Sequence, residues 1–209
     1  MPRSASVNSI DAQISLYVKR RVAGSVFLPD TFAAFGSRAA IDKALQRLVA
    51  AGVLRRLSRG LYDKPRHDEL FGTLWPSVET IVKAIAQKDR IRTQPIGVYA
   101  ENMLGLSEQV PAKVVLLTDG ISRTVQAGPM QITLKRTTPR QMAAAGRLSG
   151  LLIQAFKSIG SQHITPVHIE RLRKNIPAAE RAKVMKDLAL APAWMRPLLR
   201  QVAQEDAHS

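Results

Sequence analysis

The apolar residues of the stretch 37–64 are spaced as in a helix followed by a short hairpin. Successive residues of an α-helix turn by about 100°, so the apolar residues of the first part share one face, which we expect to be buried. They are Ile41, Ala44, Leu45 and Leu48. Ser37 is suited to cap the helix, and Gly52 can adopt the left-handed conformation beyond its end. The apolar period then changes to two, which predicts a helix over 38–51 and a hairpin over 53–63.

Long polar side chains on this helix and the hairpin are candidate DNA contacts. Lys43 and Gln46 share the opposite face of the helix with Ala39 and Ala50, Arg47 flanks that face, and Arg38 lies in the first turn. The hairpin adds Arg55, Arg56 and Arg59. A helix that presents such donors and is followed directly by a basic hairpin is typical of a winged helix-turn-helix. In that fold the helix enters the major groove of DNA and the wing lies along the backbone. The alternative is a surface helix and a hairpin whose charges are only solvated.

Three shorter segments complete a predicted winged domain over residues 1–66. Apolar residues at helical spacing predict a first helix within 7–22, followed by a strand over 26–28 and a short second helix over 30–35. The resulting order of helix, strand, helix, turn, helix and hairpin is the one expected of a winged domain. Its aromatic residues are predicted to form the core rather than a platform for stacking bases. They are Phe27, Phe32, Phe35 and Tyr62.

A second domain is predicted over 77–209, joined to the first by a linker over 67–76. The run of apolar residues at 114–117 and the alternation over 124–135 predict strands, whereas every pattern after Thr138 is helical. The predicted fold class is therefore α+β. It consists of an N-terminal winged helix-turn-helix domain followed by a mixed α/β and then helical C-terminal domain.

The net charge of +15 and the sequence pI near 10.9 favour a polyanionic partner. Residues 1–66 hold twelve Lys and Arg against four Asp and Glu, and residues 121–200 hold fourteen against three. The second block is expected either to clamp DNA beyond the operator or to dock on an acidic face of a protein. Its candidate contact residues are Arg171, Arg173, Lys174, Arg181, Lys183 and Lys186.

The sequence contains no recognisable catalytic constellation, and we predict a non-enzymatic protein without a metal or a cofactor. His163 and His168 are five residues apart and do not share a helical face. The three carboxylates of residues 121–200 all lie in helical patterns, unlike the metal-binding carboxylates of a nuclease. The absence of cysteine, of a long apolar run and of a signal-peptide pattern predicts a cytoplasmic protein with no membrane partner.

Two blocks of the chain resemble the AbiEi-type antitoxin and transcriptional-regulator family of type IV toxin–antitoxin modules. The first is SRAAIDKALQRLVAAGVLRRLSRGLYDKP, which is similar to the capped helix and R-G-x-Y wing of that family. The second is AENMLGLSEQVPAKVVLLTDGISRTVQAGPMQITLKRTTP, which is similar to its LGLS…VPAK…LTDG…SR segment. Together they cover about a third of the chain, and the helical remainder is similar only in layout.

The resemblance implies an autorepressor that binds double-stranded DNA and neutralises a nucleotidyltransferase-like toxin encoded beside it. It implies DNA contacts at Ser37, Arg38, Lys43, Gln46, Arg55, Arg56 and Arg59. The matched residues of the second block are interpreted as structural. They are Leu104, Gly105, Leu106, Thr118, Asp119 and Gly120.

Two other classes of protein are compatible with the pattern. One is a winged-helix regulator that responds to a small molecule held in a pocket within 77–136 and has no toxin partner. The other is an RNA-binding or nucleic-acid-processing protein, against which the aromatic content of 5% argues, because single strands are bound by stacking on aromatic side chains. The pattern leaves the oligomeric state and the operator sequence open.

Overall fold

The computed structural model describes residues 9–109, 111 and 113–204, which adopt an α+β fold. Two compact units are present. The first comprises the described residues up to Arg90 together with Gln126–Met130, and the second comprises Ile91–Val125 and the described residues from Gln131 onward. The main division therefore follows Arg90, whereas the sequence predicted domains over 1–66 and 77–209 joined by a linker over 67–76.

Helices and a small sheet make up the first unit. Its elements are α1 (Ile10–Lys19), β1 (Val26–Phe27), a 3₁₀ helix (Pro29–Phe35), α2 (Arg38–Ala50), β2 (Arg55–Ser58), β3 (Leu61–Asp63), β4 (Arg66–Asp68), β5 (Gly72–Leu74) and α3 (Val78–Asp89). The strands β1, β3 and β2 form an antiparallel sheet in that order, in which Tyr62 pairs with both Phe27 and Arg56.

The helix predicted over 38–51 is confirmed as α2. The Ser37 hydroxyl accepts a hydrogen bond from the amide of Ala40 at 3.4 Å, and Gly52 has a φ of 70° just beyond the helix. The predicted apolar face is buried against α1, β1 and the 3₁₀ helix. The predicted aromatic core is also confirmed, since Phe27, Phe32 and Tyr62 are buried and Phe35 packs against the same cluster.

A second hairpin occupies the segment that was predicted as a linker over 67–76. Its strands β4 and β5 pair antiparallel, with His67 opposite Thr73. The Asp68 carboxylate accepts hydrogen bonds from the amides of Leu70 and Phe71 at the turn. The hairpin was missed because its two strands have only three residues each and carry no apolar alternation.

Arg55, predicted to contact DNA, is instead a structural residue of the first unit. Its guanidinium forms a two-pronged ion pair with the Asp63 carboxylate, with Nη2 to Oδ2 at 2.6 Å, and it also donates to the carbonyl of Leu74. Asp63 is fully buried, and the Arg55 guanidinium carbon lies 3.9 Å from the centre of the Trp75 ring. Asp63 therefore neutralises the charge of Arg55, because a buried carboxylate requires a cation close by.

The second unit combines a sheet with a bundle of helices. Its elements are β6 (Thr93–Pro95), α4 (Gly97–Met103), β7 (Lys113–Thr118), β8 (Arg123–Ala127), β9 (Met130–Arg136), α5 (Leu148–Ile159), α6 (Pro166–Asn175), α7 (Ala178–Lys183), two 3₁₀ helices (Val184–Leu190 and Ala193–Met195) and α8 (Arg196–Ala203). The strand order is β6-β7-β9-β8, with β7 and β9 parallel. The β8–β9 hairpin, whose tip is grouped with the first unit, confirms the hairpin predicted over 124–135.

Arg181, predicted as a surface contact, lies inside the helical bundle. It is 2% exposed, and its Nη1 donates to the carbonyls of Val202 and Gln204 at 3.3 and 3.0 Å. These carbonyls lie at the C-terminal end of α8, where backbone oxygens lack partners within the helix. The side chain of Arg181 therefore connects α7 to the end of α8 and is not accessible to a partner protein or DNA.

No helix among the residues that the structure describes combines the length and the apolar character needed to cross a membrane.

The substitution Arg55→Ala is expected to lower the free energy of unfolding by about 3–5 kcal/mol, because it leaves the buried Asp63 carboxylate without its cation. Urea unfolding followed by circular dichroism measures the change. The matched control is Arg56→Ala, at the next and exposed position of β2, which should change the stability by no more than about 0.5 kcal/mol. Equal losses in the two variants would contradict a stabilising role for the Arg55–Asp63 pair.

Candidate nucleic-acid interface

The exposed face of α2 carries small residues mixed with long hydrogen-bond donors. Lys43 and Gln46 are exposed, and neither side chain forms a hydrogen bond or an ion pair with another described residue. Ala39 and Ala50 lie on the same face and are also exposed. Because the opposite face is fixed in the core, α2 must present these side chains outward.

The β2–β3 hairpin adds two exposed cations to this side of the first unit. Arg56 alternates with its neighbours Arg55 and Leu57, so the inward positions of β2 go to the ion pair and the core while Arg56 is exposed. Arg59 and Gly60 form the turn, where Gly60 has a φ of 70°. A side chain is disfavoured in that conformation, which explains the glycine.

Lys88, which the sequence analysis did not single out, anchors this turn from the end of α3. Its Nζ donates to the carbonyl oxygen of Arg59 at 2.5 Å. A Cβ atom at position 60 would lie 3.4 Å from Cε and Nζ of Lys88, so the two segments are in close contact. Lys88 was missed because it is 29 residues beyond Arg59 in the chain and belongs to a helix whose pattern only marks its core face.

These elements enclose a groove of about 330 Å³ in the first unit, which we call the α2–hairpin groove. Its lining consists of Arg38, Asp42, Gln46, Arg56, Arg59, Gly60, Tyr62 and Lys88. Four cations and one carboxylate therefore line one depression, and Gln46 adds an amide that can both donate and accept. Such a surface attracts an extended anion that carries hydrogen-bonding groups.

Arg38 enters this groove already paired with carboxylates. Its Nη1 lies 2.9 Å from Asp30, and its Nε lies 3.1 Å from Asp42. The Arg38 side chain is 60% exposed, and exposed ion pairs of this kind contribute little stability, about 0–1 kcal/mol. A stronger anion such as a phosphate can therefore compete for the guanidinium.

Arg47, also predicted to contact DNA, is held by α1 and does not line the α2–hairpin groove. Its guanidinium makes two hydrogen bonds of 2.6 Å to the Asp11 carboxylate. Hydrogen bonding from Arg47 lowers the pKa of Asp11 below its ordinary value, and the same bond raises the pKa of Arg47. The pair joins α1 to α2, so we interpret Arg47 as a residue that orients the two helices.

The cations predicted as a second contact surface differ in exposure and pairing. Arg171 is exposed and donates to the carbonyl of Gly105 at 3.4 Å, and Lys174 is exposed on the same helix. Lys183 pairs with Glu180 at 2.5 Å, and Lys186 is exposed on the following 3₁₀ helix. Arg173 is half-buried and Arg181 is buried, so the six residues do not form one accessible surface.

The residues of the second resemblance block have structural contacts, as interpreted from the sequence. The Asp119 carboxylate accepts hydrogen bonds from the Nε and the backbone amide of Arg92, both at 2.8 Å. Both bonds lower the pKa of Asp119, and the bond from the side chain lowers it most. The buried Thr118 hydroxyl donates to the carbonyl of Arg92 and accepts from the amide of Gly120. Leu104 and Leu106 are buried in the helical core.

Among the residues that the structure describes, no three His, Asp or Glu side chains lie close enough together to hold a metal ion.

The fold and the groove define an α+β protein with a basic depression on its first unit. A model of a family of unknown function (DUF6088) matches residues 13–184, and the chain belongs to that family. No curated protein matches the sequence. A similar solved structure is that of the RV2827C protein from Mycobacterium tuberculosis, with a TM-score of 0.48 and 13% sequence identity over 97% of this chain and 86% of that one.

The substitution Arg47→Gln is expected to return the pKa of Asp11 toward its ordinary value of 3.8, since the hydrogen bond from Arg47 is the largest cause of the lowering. A lowered pKa stabilises the folded state above the unfolded-state pKa, and this contribution is lost as the pH falls through the folded-state pKa. Carboxyl NMR titration measures the pKa directly. Arg20→Gln removes an exposed cation at the C-cap of α1 and should leave the pKa of Asp11 unchanged. An equal rise in both variants would contradict the assignment to Arg47.

Proposed function

We propose that the first unit is a winged helix-turn-helix domain and that the protein is a sequence-specific, DNA-binding transcriptional repressor. The observation that carries the proposal is the α2–hairpin groove, where Gln46 of α2 and the cations of the hairpin and α3 converge. In this assignment α2 is the recognition helix and the β2–β3 hairpin is the wing.

The geometry of α2 supports insertion into the major groove of DNA. A major groove about 12 Å wide admits one α-helix. The exposed Ala39 and Ala50 keep the outer face of α2 narrow, so the backbone can approach the base edges. Gln46 then reads a base, for which adenine is the usual partner of a glutamine amide, while Lys43 contacts the flanking phosphate or a guanine.

The wing supports binding to the DNA backbone. Arg56 and Arg59 are exposed and form no side-chain hydrogen bond or ion pair with the described residues, so both guanidinium groups are available to phosphates. Lys88 holds the turn that carries Arg59 and adds a further positive charge to the groove. Arg55 is left out of this contact set because Asp63 neutralises it.

The resemblance of two blocks to AbiEi-type antitoxins extends the proposal to a partner protein. We propose that the protein represses its own operon and neutralises a nucleotidyltransferase-like toxin encoded beside it. The exposed cations of the second unit support docking on an acidic toxin surface, where charge complementarity accelerates association. Arg181 is excluded from that surface by its burial and Arg173 is left out because it is half-buried, so the proposed contact set is Arg171, Lys174, Lys183 and Lys186.

The full-length protein is expected to bind duplex DNA from upstream of its own gene with strong salt dependence, because each phosphate contact contributes a log–log slope of roughly −0.9. Arg59→Gln and Lys88→Gln should each flatten this slope by about one contact and weaken cognate and scrambled DNA alike. Gln46→Ala should cost about 1–3 kcal/mol on the cognate site and less on scrambled DNA. Fluorescence anisotropy over a salt series measures all three.

The matched control for Lys88 is Lys83→Gln, which removes the same charge from α3 at an exposed position outside the groove. Its salt slope should stay at the wild-type value. Affinity that does not change with salt would overturn the proposed function. Equal weakening of cognate and scrambled DNA by Gln46→Ala would overturn the assignment of α2 as the reading helix.

Co-expression with the toxin is expected to separate the two proposed activities. Arg56→Gln with Arg59→Gln should relieve repression of a reporter fused to the operon promoter while leaving growth rescue intact, because these cations belong to the wing. Charge reversal at Arg171, Lys174, Lys183 and Lys186 should impair rescue without changing which promoter is repressed. Loss of both activities in both variants would contradict two separate surfaces, and failure of the wild-type protein to rescue growth would refute the antitoxin role.

A further inference from the structure

A cavity of about 460 Å³ lies within the second unit, between the segment 138–144, helix α5 and the segment 189–196. Its volume is within the range of pockets that hold small molecules, roughly 300–1,000 Å³. The cavity does not belong to the α2–hairpin groove, whose residues are all in the first unit. It also lies outside the segment 77–136 in which a ligand pocket was considered from the sequence.

Three cations line this cavity, and none of the described lining residues is acidic. Arg140 and Lys157 are exposed and form no hydrogen bond or ion pair with the described residues. The Nε of Arg196 donates to the carbonyl of Ala191 at 3.2 Å, which fixes the plane of its guanidinium. Three positive charges around one depression repel each other, so an anion bound among them lowers the energy of the arrangement.

A buried amide in the wall of the cavity is a second and independent sign of a ligand. Gln154 is only 8% exposed, yet its side chain forms no hydrogen bond with the described residues. Its amide is not among the fully enclosed polar atoms of the described residues, so solvent or a ligand can still reach it. The cavity is the space that its amide borders, so a bound molecule with acceptor or donor atoms would satisfy it.

Part of the remaining wall is apolar, although Thr138 and Gln141 also line the cavity. Ile153, Leu190 and Pro192 line the cavity beside the polar groups. A cavity lined by cations and by apolar side chains fits an organic molecule that carries a compact, doubly charged group. A phosphate meets that description, since its oxygens match the paired donors of an arginine and accept from a lysine at the same time.

We propose that this cavity is a binding site for a phosphate-bearing small molecule. Arg140, Lys157 and Arg196 bind the phosphate, and Gln154 donates to or accepts from the organic part that lies against Ile153. The site stands on the second unit alone, so it does not depend on whether the first unit binds DNA.

Calorimetric and thermal-shift titration of the full-length protein tests the site. The probes are inorganic phosphate, pyrophosphate, ribose 5-phosphate and AMP, with ribose and adenosine as their dephosphorylated counterparts. We expect at least one phosphorylated probe to bind and raise the melting temperature, and its counterpart to do neither. Arg140→Gln and Lys157→Gln should each weaken that binding about tenfold or more, because each removes a charge-assisted hydrogen bond.

Matched controls remove the same charges elsewhere in the second unit. They are Arg200→Gln on α8 and Lys135→Gln on β9, both at exposed positions outside the cavity, and both should retain wild-type affinity. Gln154→Leu should weaken the organic probes more than inorganic phosphate, with far-UV circular dichroism as the check on folding.

Four results would overturn the proposal. The first is the absence of binding by every phosphorylated probe at millimolar concentration, and the second is equal binding of the dephosphorylated counterparts. The third is equal weakening by the control substitutions, which would indicate diffuse attraction to a basic surface. The fourth is loss of duplex DNA affinity in Arg140→Gln and Lys157→Gln without binding of any small probe, which would assign these cations to a nucleic-acid backbone.

Discussion

The burial of the Asp63 carboxylate is the constraint on which the rest of the first unit depends. A carboxylate without solvent must have a cation beside it, and Arg55, across the β2–β3 pair, is that cation. The same guanidinium reaches the carbonyl of Leu74 and covers the Trp75 ring, so the two hairpins of the first unit are joined through one side chain. Trp75 in turn packs against Gly128, where any Cβ atom would lie 2.1 Å from the ring.

This constraint also decides which cations can face a partner. Strand residues alternate between the two sides of a sheet, so directing Arg55 to Asp63 directs Arg56 to the outside. Lys88 then fixes the turn through the carbonyl of Arg59 and not through its guanidinium, which leaves that side chain available. Arg55 is therefore neutralised by Asp63 within the unit, whereas Arg56 and Arg59, unpaired among the described residues, contribute positive charge to the groove.

The sequence was sufficient to predict what local periodicity determines, and insufficient for what depends on distant pairing. The cap at Ser37, the core face of α2 and the hairpin after Gly52 each follow from spacing within a few residues. The roles of Arg55 and Arg181 do not follow from local spacing. The partner of Arg55 is Asp63 on the neighbouring strand, and a partner of Arg181 is the carbonyl of Val202, 21 residues further along the chain. Lys88 was missed because its role depends on a tertiary contact with Arg59. The hairpin over 66–74 was missed because its two strands are very short and polar.

The basic block of residues 121–200 shows why net charge alone does not identify a surface. Its cations have different physical states: Arg181 is buried against carbonyls, Arg147 is paired with Asp187, and Lys174 is exposed on α6. Arg140 and Lys157, by contrast, line one cavity together with the amide of Gln154 and with no carboxylate among the described lining residues, which is why the proposed anion site is placed there. The excess of +11 that first indicated a polyanionic partner is therefore a sum of buried, paired and exposed charges, and the role of each cation must be assigned from its own contacts.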